Sequence, residues 1–171
     1  MSSTCDFFVT CHLKLAASHN NIMGVGYKKK PSIRSRGMLY RLNIKTHSKT
    51  DFLDITDKVN DVISQSGVEE GICVVFAAHT TAGMTINEHA DPDVAADILS
   101  RLDAMVPNQA NYKHGEGNSA AHIKASIIGA SVTAIVQDGE LALGTWQGIF
   151  FCEFDGPRNR EVLIKVISEK E

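Results

Sequence analysis

The sequence predicts an α+β fold whose sheets are largely antiparallel. Runs with the alternation or the β-branched content of strands cluster near both ends of the region after residue 37, and the longest helical pattern lies between them. Strands and helices do not alternate as they do in repeating βαβ units, so a doubly wound parallel sheet is not expected. The pattern indicates seven or eight strands and three helices.

Each strand is predicted from a local pattern. Residues 40–44 alternate apolar and polar side chains, which indicates a half-buried strand, whereas residues 71–78 are apolar on both faces, which indicates an interior strand. Asp138-Gly139 is a strong hairpin turn, and Gly83 is expected to mark a bend or bulge. The remaining strands are predicted at residues 52–55, 84–88, 131–137, 141–143, 149–154 and 161–167.

Three helices are predicted where apolar residues recur at helical spacing between residues that favour helix ends. The longest begins with a capping acid followed by proline, and Thr56 is expected to cap the first. The three segments are residues 57–66, ended by Gly67; the segment between Asp91 and Pro107; and residues 119–128, capped by Asn118 or Ser119 and closed by Gly129.

The composition fits one globular domain. The chain has 171 residues, of which 43% are hydrophobic and 22% charged, and its formal net charge is −3. This charge does not favour nucleic acid or a membrane surface as a partner, and no apolar run approaches the roughly 18 residues of a membrane span. After residue 37 the chain carries eleven basic and nineteen acidic residues, which favours bound cations.

Residues 1–37 differ from the rest, with six basic residues, one acid and no sustained periodicity. We interpret them as an N-terminal extension that is disordered, results from translation started upstream of Met38, or targets an organelle. Residues 38–171 then form a single domain. Cys73 and Cys152 lie in apolar runs and are expected to be buried thiols, which favours a reducing, cytoplasmic location.

Four of the seven histidines fall in central polar segments: His79, His89, His114 and His122. Neutral imidazole is the commonest metal ligand. Eight positions separate His114 from His122, and a glycine-containing loop can fold back over that distance so that both rings face one ion, with His79 arriving from a strand end. The spacing matches no strong metal signature, so the alternative is a set of loop histidines satisfied by carbonyls and water.

Two carboxylates are not explained by local structure. Glu88 lies at a strand end with no capping role, and Glu116 lies between two glycines. Either can act as a metal ligand or a general base beside the histidines. Asp91, in contrast, is explained by capping.

A second group of residues favours phosphate recognition. Thr145 and Gln147 offer donors from a small loop, and Arg158 follows a Gly-Pro turn whose backbone is rigid. The helix start at Asn118 adds free backbone N–H groups. The alternative for Arg158 is an ion pair with Asp155 across the turn. No P-loop or GxGxxG motif is present, so the nucleotide-binding folds lose support.

Six segments together closely resemble the YjbQ-like family, in one colinear run over about residues 39–168. The resemblance implies two β-sheets packed into a sandwich, assembly as a homotrimer, and a polar pocket, often with a bound metal, built from the histidine and acid motifs. His89 follows Glu88 where relatives vary, so it is left out of the first ligand set. The segments are His79-Thr-Thr-Ala-Gly-Met-Thr-Ile-Asn-Glu, Asp91-Pro-Asp-Val, His114-Gly-Glu-Gly-Asn, Ala121-His-Ile-Lys, Leu143-Gly-Thr-Trp-Gln-Gly and Glu153-Phe-Asp-Gly-Pro-Arg.

The resemblance also implies an activity, secondary thiamine-phosphate synthase, which joins a phosphorylated thiazole to a pyrimidine-methyl pyrophosphate and releases pyrophosphate. The leading hypothesis is therefore a metal-dependent enzyme that acts on a phosphorylated small molecule. The histidines favour Zn²⁺ or another transition metal, with Mg²⁺ as the alternative. The assigned residues are His79, His114 and His122 for the metal; Glu88, His79 and Glu116 for catalysis; and Asn118, Thr145, Gln147 and Arg158 for phosphate.

Two other functions remain open. The same residues could generate a metal-bound hydroxide, as in a metal-dependent hydrolase of unknown substrate. The chain could also be a non-catalytic trimeric module that binds a metal or another ligand.

Overall fold

The computed structural model describes residues 38–169, which form eight strands and three helices. The predicted extension at residues 1–37 lies outside the described residues. In chain order the elements are β1 (Met38–Lys45), β2 (Asp51–Asp54), α1 (Thr56–Ser66), β3 (Gly71–Ala77), β4 (Ala82–Glu88), α2 (Pro92–Met105), α3 (Ser119–Ile128), β5 (Ser131–Gln137), β6 (Glu140–Leu141), β7 (Gln147–Glu153) and β8 (Asn159–Ser168).

The strands form two sheets, and every described pairing is antiparallel. One sheet has five strands in the order β1-β8-β3-β5-β6, and the other has three in the order β2-β7-β4. The hairpin between β5 and β6 turns at Asp138 and Gly139, which both have positive φ as a type I′ turn requires. The predicted α+β class and its two antiparallel sheets are confirmed.

The main core lies between the two sheets, with α1 against one edge. Alternate residues of β3 and β8, such as Val75 and Ile164, point into it and are fully buried, as do Met84 of β4 and Phe151 of β7. Helices α2 and α3 cover the other face of the three-stranded sheet, where Phe150 packs in a second cluster. Strand β7 is thus buried on both faces, which explains its continuous apolar sequence.

Two local predictions were wrong. Thr56 does not cap α1; it is the first helical residue, and its N–H and hydroxyl both donate to Asp54 Oδ1 at 2.9 and 2.5 Å. Gly83 forms no bulge, because it pairs in register with Cys152. Close packing explains why the residue at this position is glycine: a Cβ there would lie 2.7 Å from the carbonyl oxygen of Gly129 at the end of α3.

None of the helices within residues 38–169 is long and apolar enough to cross a membrane. The longest, α2, has 14 residues.

Candidate functional site

Strand β4 carries polar groups at both of its ends. His79, Thr80 and Thr81 come just before its first residue, and Glu88 is its last residue. Six residue steps at about 3.3 Å each separate these ends by roughly 20 Å. We call the region around His79 the histidine end and the region around Glu88 the glutamate end.

His114 and His122 come together at the histidine end. Their ring centroids are 5.4 Å apart, and the rings meet edge to face at 84°. His122 lies in the first part of α3, and His114 lies in the loop before it, with its Nε2 atom 3.6 Å from Glu116 Oε2. Both rings line a cavity of about 410 Å³. The other residues lining this cavity are Tyr112, Ser119 and Ile123.

His79 lies beside the same pair but is oriented by the backbone. Its Nε2 atom accepts the N–H of Glu161 at 2.9 Å, so a neutral ring must carry its proton on Nδ1. Burial and the nearby Arg160 guanidinium lower the pKa of His79, so its neutral form is favoured. His79 and His122 both line a second cavity of about 570 Å³, which brings all three predicted histidines to one region.

The three histidines do not, however, form one ligand set. No group of three His, Cys, Asp or Glu side chains within residues 38–169 is arranged to hold a metal ion. The lone pair that His79 would offer from Nε2 is used by the Glu161 N–H, and Nδ1 is protonated in that tautomer. One chain therefore presents two imidazoles, His114 and His122, where protein zinc sites use at least three ligands.

A buried ion pair that the sequence analysis missed lies under His79. Arg160 Nε donates to Glu153 Oε2 at 2.7 Å, and Arg160 Nη2 donates to Glu153 Oε1 at 2.5 Å and to Thr81 Oγ1 at 2.9 Å. The two charged side chains are 7% and 0% exposed. Strand alternation could have revealed Arg160, because it shares the inward face of β8 with Val162.

Glu153 is held as a carboxylate by five donors. Besides Arg160, the hydroxyl of Thr46 and the backbone N–H groups of Phe154 and Asp155 donate to it. Burial alone would raise the pKa of Glu153, but the hydrogen bonds and the Arg160 charge outweigh it and the pKa is lowered. Arg160 also lines a third cavity of about 540 Å³ together with His79.

Arg158 forms the ion pair with Asp155 that was predicted as the alternative to phosphate binding. Its Nη2 donates to Asp155 Oδ2 and its Nε to the Asp155 carbonyl, both at 2.7 Å. Asn118 occupies the cap position of α3, but its amide donates to the same Asp155 oxygen at 3.2 Å and makes no capping bond. Burial would raise the pKa of Asp155, but Asn118 and Arg158 lower it.

The other predicted phosphate ligands lie at the glutamate end. Gln147 pairs with Glu88 across β4 and β7, and its Oε1 atom accepts the N–H of Gly144 at 2.9 Å. Thr145 lies exposed in the same turn. In a single chain the predicted catalytic and phosphate-binding residues are thus divided between the two ends of β4, and Glu88 lies roughly 20 Å from the end where His79 is found.

The glutamate end also carries an exposed pair formed by Asp54 and His89, a histidine that was not among the predicted metal ligands. His89 Nδ1 lies 2.8 Å from Asp54 Oδ2, and the two side chains are 36% and 40% exposed. Burial would raise the pKa of Asp54, but bonds from Thr56 and His89 lower it.

Cys73 and Cys152 are free and buried, as predicted. Burial raises the pKa of Cys73 to about 11 and raises that of Cys152 as well. Neither thiol is suited to act as a nucleophile near neutral pH.

Comparison with known proteins agrees with this architecture. Residues 40–169 match the family model described as UPF0047 protein YjbQ-like. A UPF0047 protein of Methanocaldococcus jannaschii is 52% identical over 133 residues, covering 78% of this chain and 96% of that protein. The UPF0047 protein YugU of Bacillus subtilis is 50% identical over 131 residues, covering 76% and 99%.

Solved structures share the fold. A YjbQ/UPF0047-family protein of Clostridium acetobutylicum is 55% identical with a TM-score of 0.74, covering 75% of this chain and 99% of that one. A protein of Sulfolobus solfataricus, described as YbjQ-like and of unknown function, is 34% identical with a TM-score of 0.75, covering 78% and 99%. With the family model matching most of its length, this chain belongs to the YjbQ-like UPF0047 family.

Proposed function

We propose that this chain is an enzyme subunit that acts on a phosphorylated small molecule at the histidine end, with thiamine-phosphate synthase as the first reaction to assay. The observation that carries the proposal is the row of three cavities. His79 lines the cavities of about 540 and 570 Å³. His122 lines the cavity of about 570 Å³ and also that of about 410 Å³, where it lies beside His114. A concave region with convergent polar groups is the usual form of a small-molecule site.

In that reaction the bond between the pyrimidine methylene carbon and the pyrophosphate oxygen breaks, and the electron pair leaves with pyrophosphate. The thiazole nitrogen forms the new bond to the same carbon. No proton need be transferred, so the protein must position two ring systems and stabilise the charge on the leaving oxygens. His122 and His114 line the cavities in positions from which to orient the rings, and Glu116 is the carboxylate beside them.

The divalent ion implied by the resemblance is also a proposal. His114 and His122 would supply two ligands, and the others would come from outside the chain, from a second copy or from substrate. Elemental analysis of untagged protein tests it, by comparing wild type with the His114→Ala/His122→Ala double variant. Metal bound by wild type and lost from the variant would support the proposal, and equal metal content in both would overturn it.

Activity is tested with purified protein and the two thiamine precursors, measuring thiamine phosphate and pyrophosphate. We expect His122→Ala to lower the rate by about a hundredfold, because a displacement of the reacting rings by about 1 Å costs that much even without a proton transfer. His89→Ala, at the glutamate end, is the matched control and should retain the rate. Full activity in His122→Ala would overturn the assignment of the site.

The same preparation assayed against phosphoesters and amides separates the alternatives. Hydrolysis that requires His122, without coupling of the precursors, would replace the synthase with a hydrolase. Absence of turnover with every substrate would favour the non-catalytic binding module and overturn the enzyme proposal.

The outer face of the five-stranded sheet supports self-association, for which the family resemblance implies a homotrimer. Ile72 of β3 lies between Ile135 of β5 and Ile167 of β8, and Phe76 lies further along the same face. Ile135 and Phe76 are 61% and 41% exposed. Exposed apolar patches of this kind mark interaction surfaces. Light scattering should give a trimer mass for wild type and a monomer for Ile135→Asp; a monomeric wild type would contradict the proposal.

A further inference from the structure

We propose that Arg160, His79 and Thr80 form the pocket that binds the phosphoryl group of the substrate, a role that the sequence analysis gave to Arg158, Thr145 and Gln147. This inference rests on the proposed function, because it names where the phosphorylated molecule is anchored. It starts from the cavity of about 540 Å³ between the end of β3 and the start of β4, which Arg160 lines from below.

The Arg160 guanidinium is fixed in place and keeps one nitrogen for a ligand. Glu153 clamps Nε and Nη2, and Thr81 accepts a further bond from Nη2. These bonds leave Nη1 as the nitrogen through which Arg160 can reach a molecule in the cavity. A guanidinium that is already ordered loses little conformational entropy on binding, which favours tight recognition of an oxyanion.

The ion pair of Arg160 and Glu153 presents Arg160, and not Glu153, to the cavity. The carboxylate divides its acceptor capacity between Arg160 and three neutral donors, from Thr46, Phe154 and Asp155. Arg160 lines the cavity and Glu153, which is fully buried, does not, so the positive end of the ion pair faces the cavity.

His79 faces the ligand as a hydrogen-bond donor. Since its Nε2 accepts the backbone N–H of Glu161, the neutral ring carries its proton on Nδ1. Thr80 adds an exposed hydroxyl next to it. The residues that line this cavity include no carboxylate, so its polar side chains suit an anion rather than a cation.

The location of the pocket also fits a phosphorylated molecule. The neighbouring cavity shares His79 and Thr80 with it and extends to His122. From His122 the cavity of about 410 Å³ continues to Tyr112 and Ile123, whose side chains suit an organic ring. A molecule with its phosphate at Arg160 would thus place its organic part along the predicted catalytic histidines.

Arg158 is less suited to this role. Two of its nitrogens are already bound to Asp155, and its side chain is 53% exposed, so solvent screens its charge. Thr145 and Gln147 lie at the glutamate end. The length of β4, at about 3.3 Å per residue, puts this end roughly 20 Å from the histidine end.

The test uses the full 171-residue chain and isothermal titration calorimetry with inorganic phosphate and pyrophosphate. Ala78 lines the cavity, is exposed and lies outside the strands, so it accepts substitution without disturbing the buried ion pair. Ala78→Glu and Ala78→Gln differ in charge but hardly in size. A carboxylate within several ångströms of the bound anion should weaken binding by about tenfold or more relative to the glutamine variant.

Arg158→Ala should leave the affinity for pyrophosphate within about twofold of wild type, because a solvent-exposed charge contributes little. Thr80→Val, which replaces the hydroxyl with a methyl group, should weaken the affinity for pyrophosphate several-fold. Equal affinities of Ala78→Glu and Ala78→Gln would overturn the proposal. So would a larger loss in Arg158→Ala than in Ala78→Glu, or a wild-type protein that binds neither anion at millimolar concentration.

Turnover measured on the same variants separates this inference from the proposed function. If the precursors react but the KM of Ala78→Glu equals that of Ala78→Gln, the enzyme stands and the phosphate pocket is wrong. If pyrophosphate binding follows the predicted order but no substrate reacts, the pocket stands and the catalytic function is wrong.

Discussion

The two ends of β4 each carry a carboxylate that contacts a nitrogen of a basic side chain, and the two pairs differ in burial rather than in geometry. Arg160 and Glu153 at the histidine end are 7% and 0% exposed, whereas His89 and Asp54 at the glutamate end are 36% and 40% exposed. Their bonds are similar in length, 2.7 Å from Arg160 Nε to Glu153 and 2.8 Å from His89 to Asp54. A buried charge needs compensation that an exposed one obtains from water.

This difference supports the proposed location of the site at the histidine end. The exposed pair is an ordinary arrangement for a protein surface. The buried pair costs desolvation, and replacing such pairs by apolar residues is often neutral or stabilising. Its position beneath the cavities lined by His79 therefore favours a role in binding over a role in stability alone.

The largest expected effect is on stability, and it compares the two pairs directly. Arg160→Ala leaves the Glu153 carboxylate buried without its cation, so we expect the free energy of unfolding to fall by about 3–5 kcal/mol. His89→Ala should lower it by about 1 kcal/mol or less, because Asp54 stays in contact with water. Urea denaturation followed by circular dichroism measures both. Similar losses in the two variants would contradict the assigned difference in burial.

The next largest effect is on how the free energy of unfolding depends on pH in the acid range. Because the folded-state pKa of Glu153 lies below its ordinary value of 4.5, its stabilising contribution is complete above pH 4.5 and is lost as the pH falls through the folded pKa. Glu153→Gln removes this titration. We expect the slope of unfolding free energy against pH below 4.5 to be shallower in the variant, by at most about 1.4 kcal/mol per pH unit.

Asp54→Asn at the glutamate end is the matched control for this acid dependence. The pKa of Asp54 is also lowered, but its side chain is 40% exposed, so water screens its interactions. The Asp54→Asn slope should therefore remain close to that of wild type. A larger change in Asp54→Asn than in Glu153→Gln would reverse the comparison.

Local pattern was enough to predict the elements, and chain proximity was enough for one part of the site. His114 and His122 come together because a loop with two glycines leads into the helix that carries His122. The strand alternation, the Asp91 cap and the Gly67 helix end also follow from short-range chemistry. In each case the interacting residues are close in sequence.

The rest of the site depends on contacts between distant segments. His79 and Glu88 belong to one sequence motif, but an extended strand separates them, since β4 advances by about 3.3 Å per residue. Arg160 reaches the same cavity as His79 because β8 pairs with β3, which no local pattern specifies. Asn118 occupies its cap position, but Asp155, 37 residues away in sequence, binds its side chain.

A smaller effect should be visible at the His79 ring by NMR. Long-range ¹H–¹⁵N spectra should show the proton on Nδ1, with Nε2 unprotonated, because the Glu161 N–H occupies Nε2. The midpoint of its titration should lie below the ordinary value of 6.5, since burial and Arg160 disfavour the charged ring. The His79→Gln spectrum identifies the signal. A proton on Nε2, or a midpoint at 6.5 or above, would contradict this account.

The smallest expected effect is at Trp146, the only tryptophan of the chain, which lies at the glutamate end and is 62% exposed. Its fluorescence therefore reports on that end alone. If phosphate binds at Arg160 of the same chain, roughly 20 Å from the glutamate end by the rise of β4, pyrophosphate should leave both the emission and its quenching by iodide unchanged. Ala78→Glu, which should bind pyrophosphate more weakly by about tenfold or more, gives the baseline at a concentration that saturates wild type. Shielding of Trp146 by pyrophosphate in wild type but not in Ala78→Glu would mean that the glutamate end of one copy meets the histidine end of another. The division of the predicted residues between two ends would then describe a single chain rather than the assembled site.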